Sequence, residues 1–365
     1  MKIRTILIAA AAVAVCACAQ KTSETTVIKG SIPEGYDTPE VVVVIQDLQI
    51  DTTIAVVDGK FNLSVPTCTT AYGVVVIDGE VYPFVPDGTV LTVKIEDEEV
   101  VSDKPSVSVT KRLNAFNQWV GDFMGKYNEK MGEIYDESEG LTEEEKSELV
   151  EAYYNEVIPS YNEYMAKVAK ENPDNLLGLI AISQYQYEDV NELRPLIDGL
   201  SDALKENPDI VSLVKAMDAM NDTAEGSMFA DFTIVQDPDN ADATTVKFSD
   251  YVGCGKWVIV DFWASWCGPC RGEMPNLQSV YKQFHGDRFD MLSVAVWDDP
   301  EDSKAAAKEL GIVWNQIINA QQIPTDLYGI EGIPHIILFG PDGTIVKRGL
   351  RGEAIGAAVA EALGE

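Results

Sequence analysis

The chain has 365 residues, of which 46% are hydrophobic and 8% aromatic, a composition typical of folded protein and not of a wholly disordered chain. This length exceeds that of one ordinary domain and predicts about two or three. The 27 Lys and Arg residues against 60 Asp and Glu give a formal charge of −33, which argues against nucleic acid and anionic lipid headgroups as partners.

The N-terminus has the pattern of a secretory signal peptide. Lys2 and Arg4 form a charged start, and residues 6–17 form a short apolar run rich in alanine. That run is shorter than the about 20 apolar residues that a transmembrane helix needs. We therefore predict that residues 1–17 are a signal peptide.

The apolar run ends in Val15-Cys16-Ala17-Cys18, which resembles the lipobox of bacterial lipoproteins. A small residue precedes the acylated cysteine in that motif, so Ala17 favours Cys18 over Cys16 as the lipidation site. The resemblance implies a periplasm-facing protein of the cell envelope that is anchored to a membrane by its lipid. A cleaved signal without a lipid is the alternative. Residues 18–26 then form the anchor and a polar tether.

Residues 27–107 carry the pattern of an antiparallel sheet. Their β-branched runs are separated by Asp-Gly turns at 58–59, 78–79 and 87–88. We predict an all-β, sandwich-like domain in this part of the chain. The predicted strands cover residues 41–45, 53–57, 60–65, 71–77 and 90–95.

Residues 108–226 change to helix-forming residues with many acidic side chains, which predicts an α-helical region. Apolar and aromatic residues recur there at helical spacing, among them Tyr153, Tyr161 and Tyr164. We interpret this stripe as helix core, with a ligand-stacking surface as the alternative.

Residues 227–365 alternate short apolar strands with helices, which predicts an α/β domain with a mixed sheet. The predicted strands are 257–262, 291–296, 336–339 and 344–346. The predicted helices are 267–284, 303–310 and 353–363.

The predicted strand at 257–262 leads into Trp266-Cys267-Gly268-Pro269-Cys270, which places two thiols three residues apart at the start of a helix. Unpaired backbone N–H groups and the helix dipole stabilise a thiolate at Cys267, which is the predicted nucleophile. Cys270 lies nearly one turn further along the helix. It is the predicted resolving thiol, which attacks the mixed disulfide and releases the partner.

Half of a zinc site is the alternative for such a cysteine pair. A zinc site needs further Cys or His ligands, and the chain has only His285 and His335. We expect neither a metal nor a cofactor.

The stretch 261–270 resembles the active-site signature of thioredoxins, and the following residues 271–275 are similar to the extracytoplasmic TlpA-like thiol-disulfide reductases. The resemblance covers the C-terminal domain and implies a thioredoxin fold there. It also implies that Asp261 is the buried acid that moves protons and that Glu273 is an acid near the thiols. The alternatives are a hydrogen-bonded carboxylate at a strand end and a surface carboxylate, respectively.

The same resemblance matches Ile333-Pro334 to the cis-proline loop that faces the disulfide and pairs with an extended substrate peptide. An ordinary trans turn is the alternative. His335 either tunes the thiols or lies at the surface. We expect Trp266 and Ile333 to form the docking surface for substrate, with Trp266 partly exposed and Trp263 mostly buried.

Further features concern the redox direction and the remaining cysteines. The Gly268-Pro269 spacer is that of thioredoxin and favours a reductase. Cys68 and Cys254 are expected to be unreactive thiols, with a disulfide between them as the alternative. The β region also resembles an N-terminal domain attached to lipoprotein thioredoxins of the Bacteroidetes type.

These features predict a thiol-disulfide oxidoreductase that reduces disulfides in exported proteins, apocytochromes among them, and takes electrons from a membrane thiol donor. One alternative is a peroxidase of the alkyl hydroperoxide reductase family. Its Pro-x-x-x-Thr-x-x-Cys pocket is not matched, since Trp266 precedes Cys267 and the Thr is missing. The other is a lipid-anchored binding protein in which residues 27–224 capture a ligand.

Overall fold

The computed structural model describes residues 25–365 except for residues 35, 37, 139, 188 and 237–243. The predicted signal peptide, the predicted lipidation site Cys18 and most of the predicted tether lie outside the described residues. The chain divides into two compact units, 1–211 and 212–365. In the part of the chain that is described, no helix has the combination of length and apolar character needed to cross a bilayer.

The first unit begins with two β-sheets that share one core. Its strands are β1 (Thr25–Ser31), β2 (Glu40–Ile45), β3 (Ile50–Ala55), β4 (Lys60–Pro66), β5 (Gly73–Ile77), β6 (Glu80–Phe84), β7 (Val90–Lys94) and β8 (Glu99–Ser102). The strand orders are β4-β1-β7-β8 and β3-β2-β5-β6.

Side-chain alternation along each strand fills the core between these sheets. In β2, Val41, Val43 and Ile45 are buried, and they belong to the same apolar cluster as Ile28 and Leu91 of the other sheet. Neighbouring strands pair antiparallel, except β1 with β7. The predicted sandwich-like β architecture is thus confirmed.

Helices follow the β-sheets, as predicted. They are α1 (Val109–Glu137), α2 (Glu143–Glu171), α3 (Leu176–Gln184), α4 (Arg194–Asp198), α5 (Asp202–Lys205) and α6 (Pro208–Asp222). The side chains of Ser108 and Thr142 cap α1 and α2 by accepting backbone N–H groups of the first turn. The two helices meet through stacked rings, with the centroids of Trp119 and Tyr164 3.7 Å apart. Tyr161 is buried beside them, which agrees with the core interpretation of the tyrosine stripe.

The second unit is a mixed sheet with helices on both faces. Its elements are β9 (Thr233–Val235), β10 (Thr245–Lys247), β11 (Trp257–Trp263), α7 (Gly268–Phe284), β12 (Phe289–Ala295), α8 (Pro300–Glu309), β13 (Asn315–Ile317), α9 (Ile323–Tyr328), β14 (His335–Phe339), β15 (Ile345–Lys347) and α10 (Glu353–Leu363). The sheet order is β13-β12-β11-β14-β15, in which β14 and β15 run antiparallel to their neighbours. The predicted α/β domain with a mixed sheet is confirmed.

Strand β11 lies at the centre of this sheet and is buried on both faces. Ile259 and Trp263 join the core cluster formed with α7 and α10, whereas Val260 and Phe262 join the cluster on the opposite face. Because side chains alternate along a strand, Asp261 points to the same face as Ile259 and Trp263. A carboxylate therefore enters the core beneath α7.

The last turns of α6, residues 212–222, belong to the second unit and pack against Gly329. This glycine has φ 61°, and a Cβ there would lie 2.5 Å from the carbonyl oxygen of Ala216 and 2.9 Å from the backbone nitrogen of Met220. Arg348 holds the same helix end by donating to the carbonyl oxygen of Thr223 at 2.7 Å. These contacts fix the segment that leads into the predicted cis-proline loop.

The close approach of α6 to Gly329 is tested by alanine. Gly349 is a matched control, because it also has a positive φ, 68°, but a Cβ there would have no atom within 4 Å. We expect Gly329→Ala to lower the free energy of unfolding by about 3 kcal/mol and Gly349→Ala by about 1 kcal/mol. Urea denaturation followed by tryptophan fluorescence measures both, and equal losses would contradict the packing described.

Candidate active site

The two cysteines of the predicted motif form a disulfide at the N-terminus of α7. The Cα atoms of Cys267 and Cys270 are 5.3 Å apart and their sulfurs 2.00 Å apart. Cys267 is the N-cap residue, and its Sγ accepts the backbone N–H of Cys270 at 3.1 Å. The exposed fraction is 3% for Cys267 and 0% for Cys270. This order agrees with a nucleophilic Cys267 and a resolving Cys270, whose roles stay predictions.

An exposed indole stands beside the disulfide. Trp266 is 62% exposed, and its Nε1 donates to the carbonyl oxygen of Trp297 at 3.0 Å. Trp297 has φ 54°, in the left-handed region that residues other than glycine rarely adopt. Trp263, in contrast, is 1% exposed. The expected exposures of both tryptophans are confirmed.

The Ile333–Pro334 peptide bond is cis, as predicted. The next residue, His335, pairs with Phe262 of β11. The cis-proline loop before β14 and the cysteine loop after β11 therefore lie at the same end of these two strands. Ile333 packs against the buried cluster that contains both active-site cysteines. The catalytic role of Pro334 and the docking role of Trp266 and Ile333 stay predictions.

Asp261 is buried below the disulfide with an exposed fraction of 1%. Neither of its carboxylate oxygens has a hydrogen-bond partner among the described residues. Burial raises the pKa of the Asp261 carboxyl to about 7, the positive charge of Arg351 opposes this rise, and the negative charge of Glu273 adds to it. A carboxyl with this pKa suits proton transfer near neutral pH. The proton-moving role of Asp261 stays a prediction.

Glu273 lies in α7, three residues beyond Cys270. It is half-buried, and its Oε1 accepts the backbone N–H of Gly352 at 2.9 Å and the Nδ2 of Asn276 at 2.6 Å. It is therefore a hydrogen-bonded carboxylate that joins α7 to the loop before α10, and not a free surface group. Its catalytic role stays a prediction.

Asp298, which the sequence did not single out, holds the loop before the cysteines. Its buried carboxylate accepts the backbone N–H of Ser265 at 2.7 Å, the hydroxyl of Ser265 at 2.8 Å and the hydroxyl of Ser303 at 2.7 Å. These bonds fix the residue before Trp266. Its sequence setting, Asp298-Asp299-Pro300, indicates only a helix start.

Arg351 is the second residue that sequence reasoning missed. Its guanidinium donates to the carbonyl oxygens of Pro334 and of Leu350, the latter at 2.7 Å. Burial lowers the pKa of Arg351, and the negative charges of Glu273 and Asp261 raise it. The positive charge that lowers the pKa of Asp261 thus comes from Arg351, in a loop 90 residues further along the chain.

The remaining cysteines differ from expectation at one position. Cys68 is disulfide-bonded, so the prediction of an unreactive thiol there is wrong. Spacing along a chain does not report which cysteines come within about 6 Å in the fold. Cys254 is free and exposed, so the alternative of a Cys68–Cys254 disulfide is not realised.

His335 is half-buried, and its Nε2 lies 3.4 Å from Nη2 of Arg348. Within the described ranges, no group of three or more His, Cys, Asp or Glu residues is arranged to hold a metal.

Comparison with known proteins bears on this unit. The AhpC/TSA family matches residues 226–348. A thioredoxin from Mycolicibacterium smegmatis is 35% identical over 109 residues, which cover 29% of this chain and 77% of that protein. The chain belongs to the thioredoxin superfamily. The predicted thioredoxin fold at the C-terminus is thereby confirmed.

Other similar proteins carry names of thiol-disulfide chemistry. The thiol-disulfide oxidoreductase ResA from Bacillus subtilis (strain 168) is 26% identical over 124 residues, which are 34% of this chain and 66% of that protein, just under two thirds of its length. Among solved structures, the thioredoxin domain of a thiol-disulfide oxidoreductase from Bacteroides vulgatus is 33% identical, with a TM-score of 0.34, and the match covers 38% of this chain and 96% of that domain.

The burial of Asp261 in the thioredoxin domain predicts how stability depends on pH. The folded carboxyl holds its proton up to about pH 7, whereas the unfolded one releases it near pH 4. This group therefore lowers stability progressively as the pH rises from about 4 to about 7, by up to about 4 kcal/mol. We expect Asp261→Asn to raise the free energy of unfolding at pH 8 by about 2–4 kcal/mol and to have little effect at pH 4.

Urea denaturation of the oxidised protein at several pH values checks this prediction. Asp287→Asn is the control, because Asp287 is an exposed carboxylate of the same domain. A gain from Asp261→Asn that is the same at pH 4 and pH 8 would contradict the assignment of the buried titrating group.

Proposed function

We propose that this chain is a thiol-disulfide oxidoreductase that reduces disulfides in other exported proteins through Cys267 and Cys270. The observation that carries the proposal is the disulfide at the N-terminus of α7, flanked by the exposed indole of Trp266 and the cis-Pro334 loop. The similarity to a thiol-disulfide oxidoreductase of Bacillus subtilis supports the same chemistry.

The reduced pair carries out the reaction in two exchange steps. The thiolate of Cys267 attacks one sulfur of the substrate disulfide, which forms a mixed disulfide and releases the first substrate thiolate. Cys270 then loses its proton and attacks the sulfur of Cys267. This second step closes the Cys267–Cys270 disulfide and releases the second substrate thiolate, so that the substrate gains two electrons and the enzyme loses two.

The buried acid and the helix end have separate tasks in these steps. The N–H of Cys270 already donates to the sulfur of Cys267, and this bond together with the helix N-terminus stabilises the Cys267 thiolate. Cys270 is fully buried and needs a proton acceptor within the core. Asp261, on the face of β11 beneath α7, is the acceptor that we assign.

The direction and the cellular setting are part of the proposal. The Gly268-Pro269 spacer supports a reductase, and a membrane thiol donor would return the chain to its reduced form. The lipobox-like sequence at Cys18 supports a periplasm-facing protein anchored by a lipid. Apocytochromes awaiting haem attachment are the clients that we propose, and the charge of −33 argues against nucleic acid.

A peroxidase is the second candidate, because the AhpC/TSA family matches residues 226–348. The peroxidase pocket of the alkyl hydroperoxide reductases carries a Thr three residues before its reactive cysteine. Ala264 occupies that position here, and the bulky Trp266 directly precedes Cys267. We therefore favour disulfide exchange over peroxide reduction.

Trapping of the mixed disulfide tests the assigned roles. In Cys270→Ser, the thiolate of Cys267 still attacks, but no resolving thiol follows, so a stable adduct with a disulfide-containing peptide should accumulate. In Cys267→Ser no adduct should form, and turnover should fall at least about 100-fold in both variants. Mass spectrometry of the adducts checks this prediction in a Cys254→Ser background, which removes the free thiol.

Two results would contradict this assignment. An adduct on Cys270 in Cys267→Ser would reverse the roles of the cysteines. Consumption of hydrogen peroxide that depends on Cys267, in a chain that reduces no peptide disulfide, would favour the peroxidase.

The reduction potential of the Cys267–Cys270 pair tests the direction. We expect a value near that of thioredoxin, about −270 mV, measured by equilibration with glutathione and counting of alkylated thiols. Cys267→Ser, which lacks the pair, is the control. A value near −120 mV would make the chain an oxidant and contradict a reductase.

A further inference from the structure

Three charged side chains from three separate segments share the region beneath the disulfide. Asp261 comes from β11, Glu273 from α7 and Arg351 from the loop between β15 and α10. Burial is complete for Asp261 and partial for the other two. With all three ionised, this group carries one net negative charge in a region of low polarity, and protonation of Asp261 makes it neutral.

Arg351 contacts the parts of the backbone that surround the cysteines. Its guanidinium donates to the carbonyl oxygen of cis-Pro334, and the N–H of the next residue, Gly352, donates to Glu273 at 2.9 Å. One Arg-Gly dipeptide therefore ties the cis-proline loop and the cysteine helix to the same turn.

The charges of Arg351 and Glu273 act on Asp261 with opposite signs. Burial raises the pKa of Asp261, Arg351 lowers it and Glu273 raises it. The hydroxyl of Ser293, the residue of β12 that pairs with Asp261, also lowers the pKa of Asp261. Protonation of Asp261 thus depends on the charges of two residues, Arg351 and Glu273, that lie outside its own strand.

We propose that Arg351 is a positioning residue for disulfide exchange: its guanidinium holds the cis-Pro334 loop, its neighbour Gly352 holds α7 through Glu273, and its positive charge faces the core that contains Asp261. The inference rests on the proposed function. In the resolving step, ionised Asp261 takes the proton of the Cys270 thiol, and the thiolate so formed attacks the sulfur of Cys267. The Cys267–substrate bond breaks, and the electron pair leaves with the substrate thiolate.

The charge part of this proposal is tested by titrating Asp261 in the oxidised full-length chain by carboxyl ¹³C NMR. We expect the midpoint to rise by about one pH unit in Arg351→Gln and to fall in Glu273→Gln. Arg348→Gln is the matched control, because Arg348 is also a partly buried arginine but contacts Thr223, Tyr328 and His335. In Arg348→Gln, the titration midpoint of Asp261 should equal that in the unaltered chain. Equal midpoints in folded Arg351→Gln and in the unaltered chain would overturn the proposal.

The positioning part is tested by Arg351→Lys, which keeps the charge but loses the planar guanidinium. We expect the Asp261 midpoint to stay within about 0.5 of the original value while KM for a disulfide peptide rises several-fold. An unchanged KM would overturn the positioning role. If Arg351→Gln does not fold, Arg351→Lys and Glu273→Gln decide the question, and an unshifted midpoint in Glu273→Gln would overturn the charge coupling.

The NMR titration needs no substrate, so it separates this inference from the proposed function. Shifted midpoints in a chain that reduces no disulfide would contradict the proposed function alone. Disulfide reduction with unshifted midpoints would contradict the role of Arg351 alone.

Discussion

The second unit is organised by the burial of strand β11 on both faces. Side chains on both faces of a buried central strand are shielded from solvent. A polar residue in such a strand must therefore face a core. Asp261 is that residue, and it faces the core that α7 covers. The same strand leads through residues 264–266 into Cys267, so one short segment of sequence carries both the buried acid and the disulfide.

This arrangement puts the Asp261 carboxyl, whose pKa burial raises to about 7, into the same core as the two active-site sulfurs. A thiolate at the helix N-terminus and a carboxylate below it repel each other, so the loss of one proton discourages the loss of the second. The proposed exchange uses this coupling, because its two steps deprotonate the two cysteines at different moments. The charges of Arg351 and Glu273 shift the pKa of the Asp261 carboxyl in opposite directions. Neither residue needs to contact a sulfur to have this effect.

The sequence predicted the parts of the site that follow from local pattern. The spacing of the two cysteines has a direct structural meaning, whereas the buried acid at Asp261 and the cis bond at Pro334 were implied by the resemblance to thioredoxins. Arg351 and Asp298 could not be predicted, because their contacts arise from sheet order and loop packing across long sequence separations. The strands β9, β10 and β13 also escaped prediction, since three residues are too few to show an alternating pattern. The equally short β15 was predicted because it follows the Pro341-Asp342-Gly343 turn.

The exposures around the disulfide constrain what the site accepts. Cys267 offers a sulfur that is almost covered, while the neighbouring indole of Trp266 is open to solvent and held in place by its bond to Trp297. A small disulfide gains little from that indole. In the predicted docking, a peptide covers the indole and pairs with the backbone of Ile333 at the same time. The apolar area removed from water on the indole then offsets the cost of ordering the peptide at the sulfur. On this argument, extended protein segments are better substrates than small disulfides, because only they reach both contacts at once.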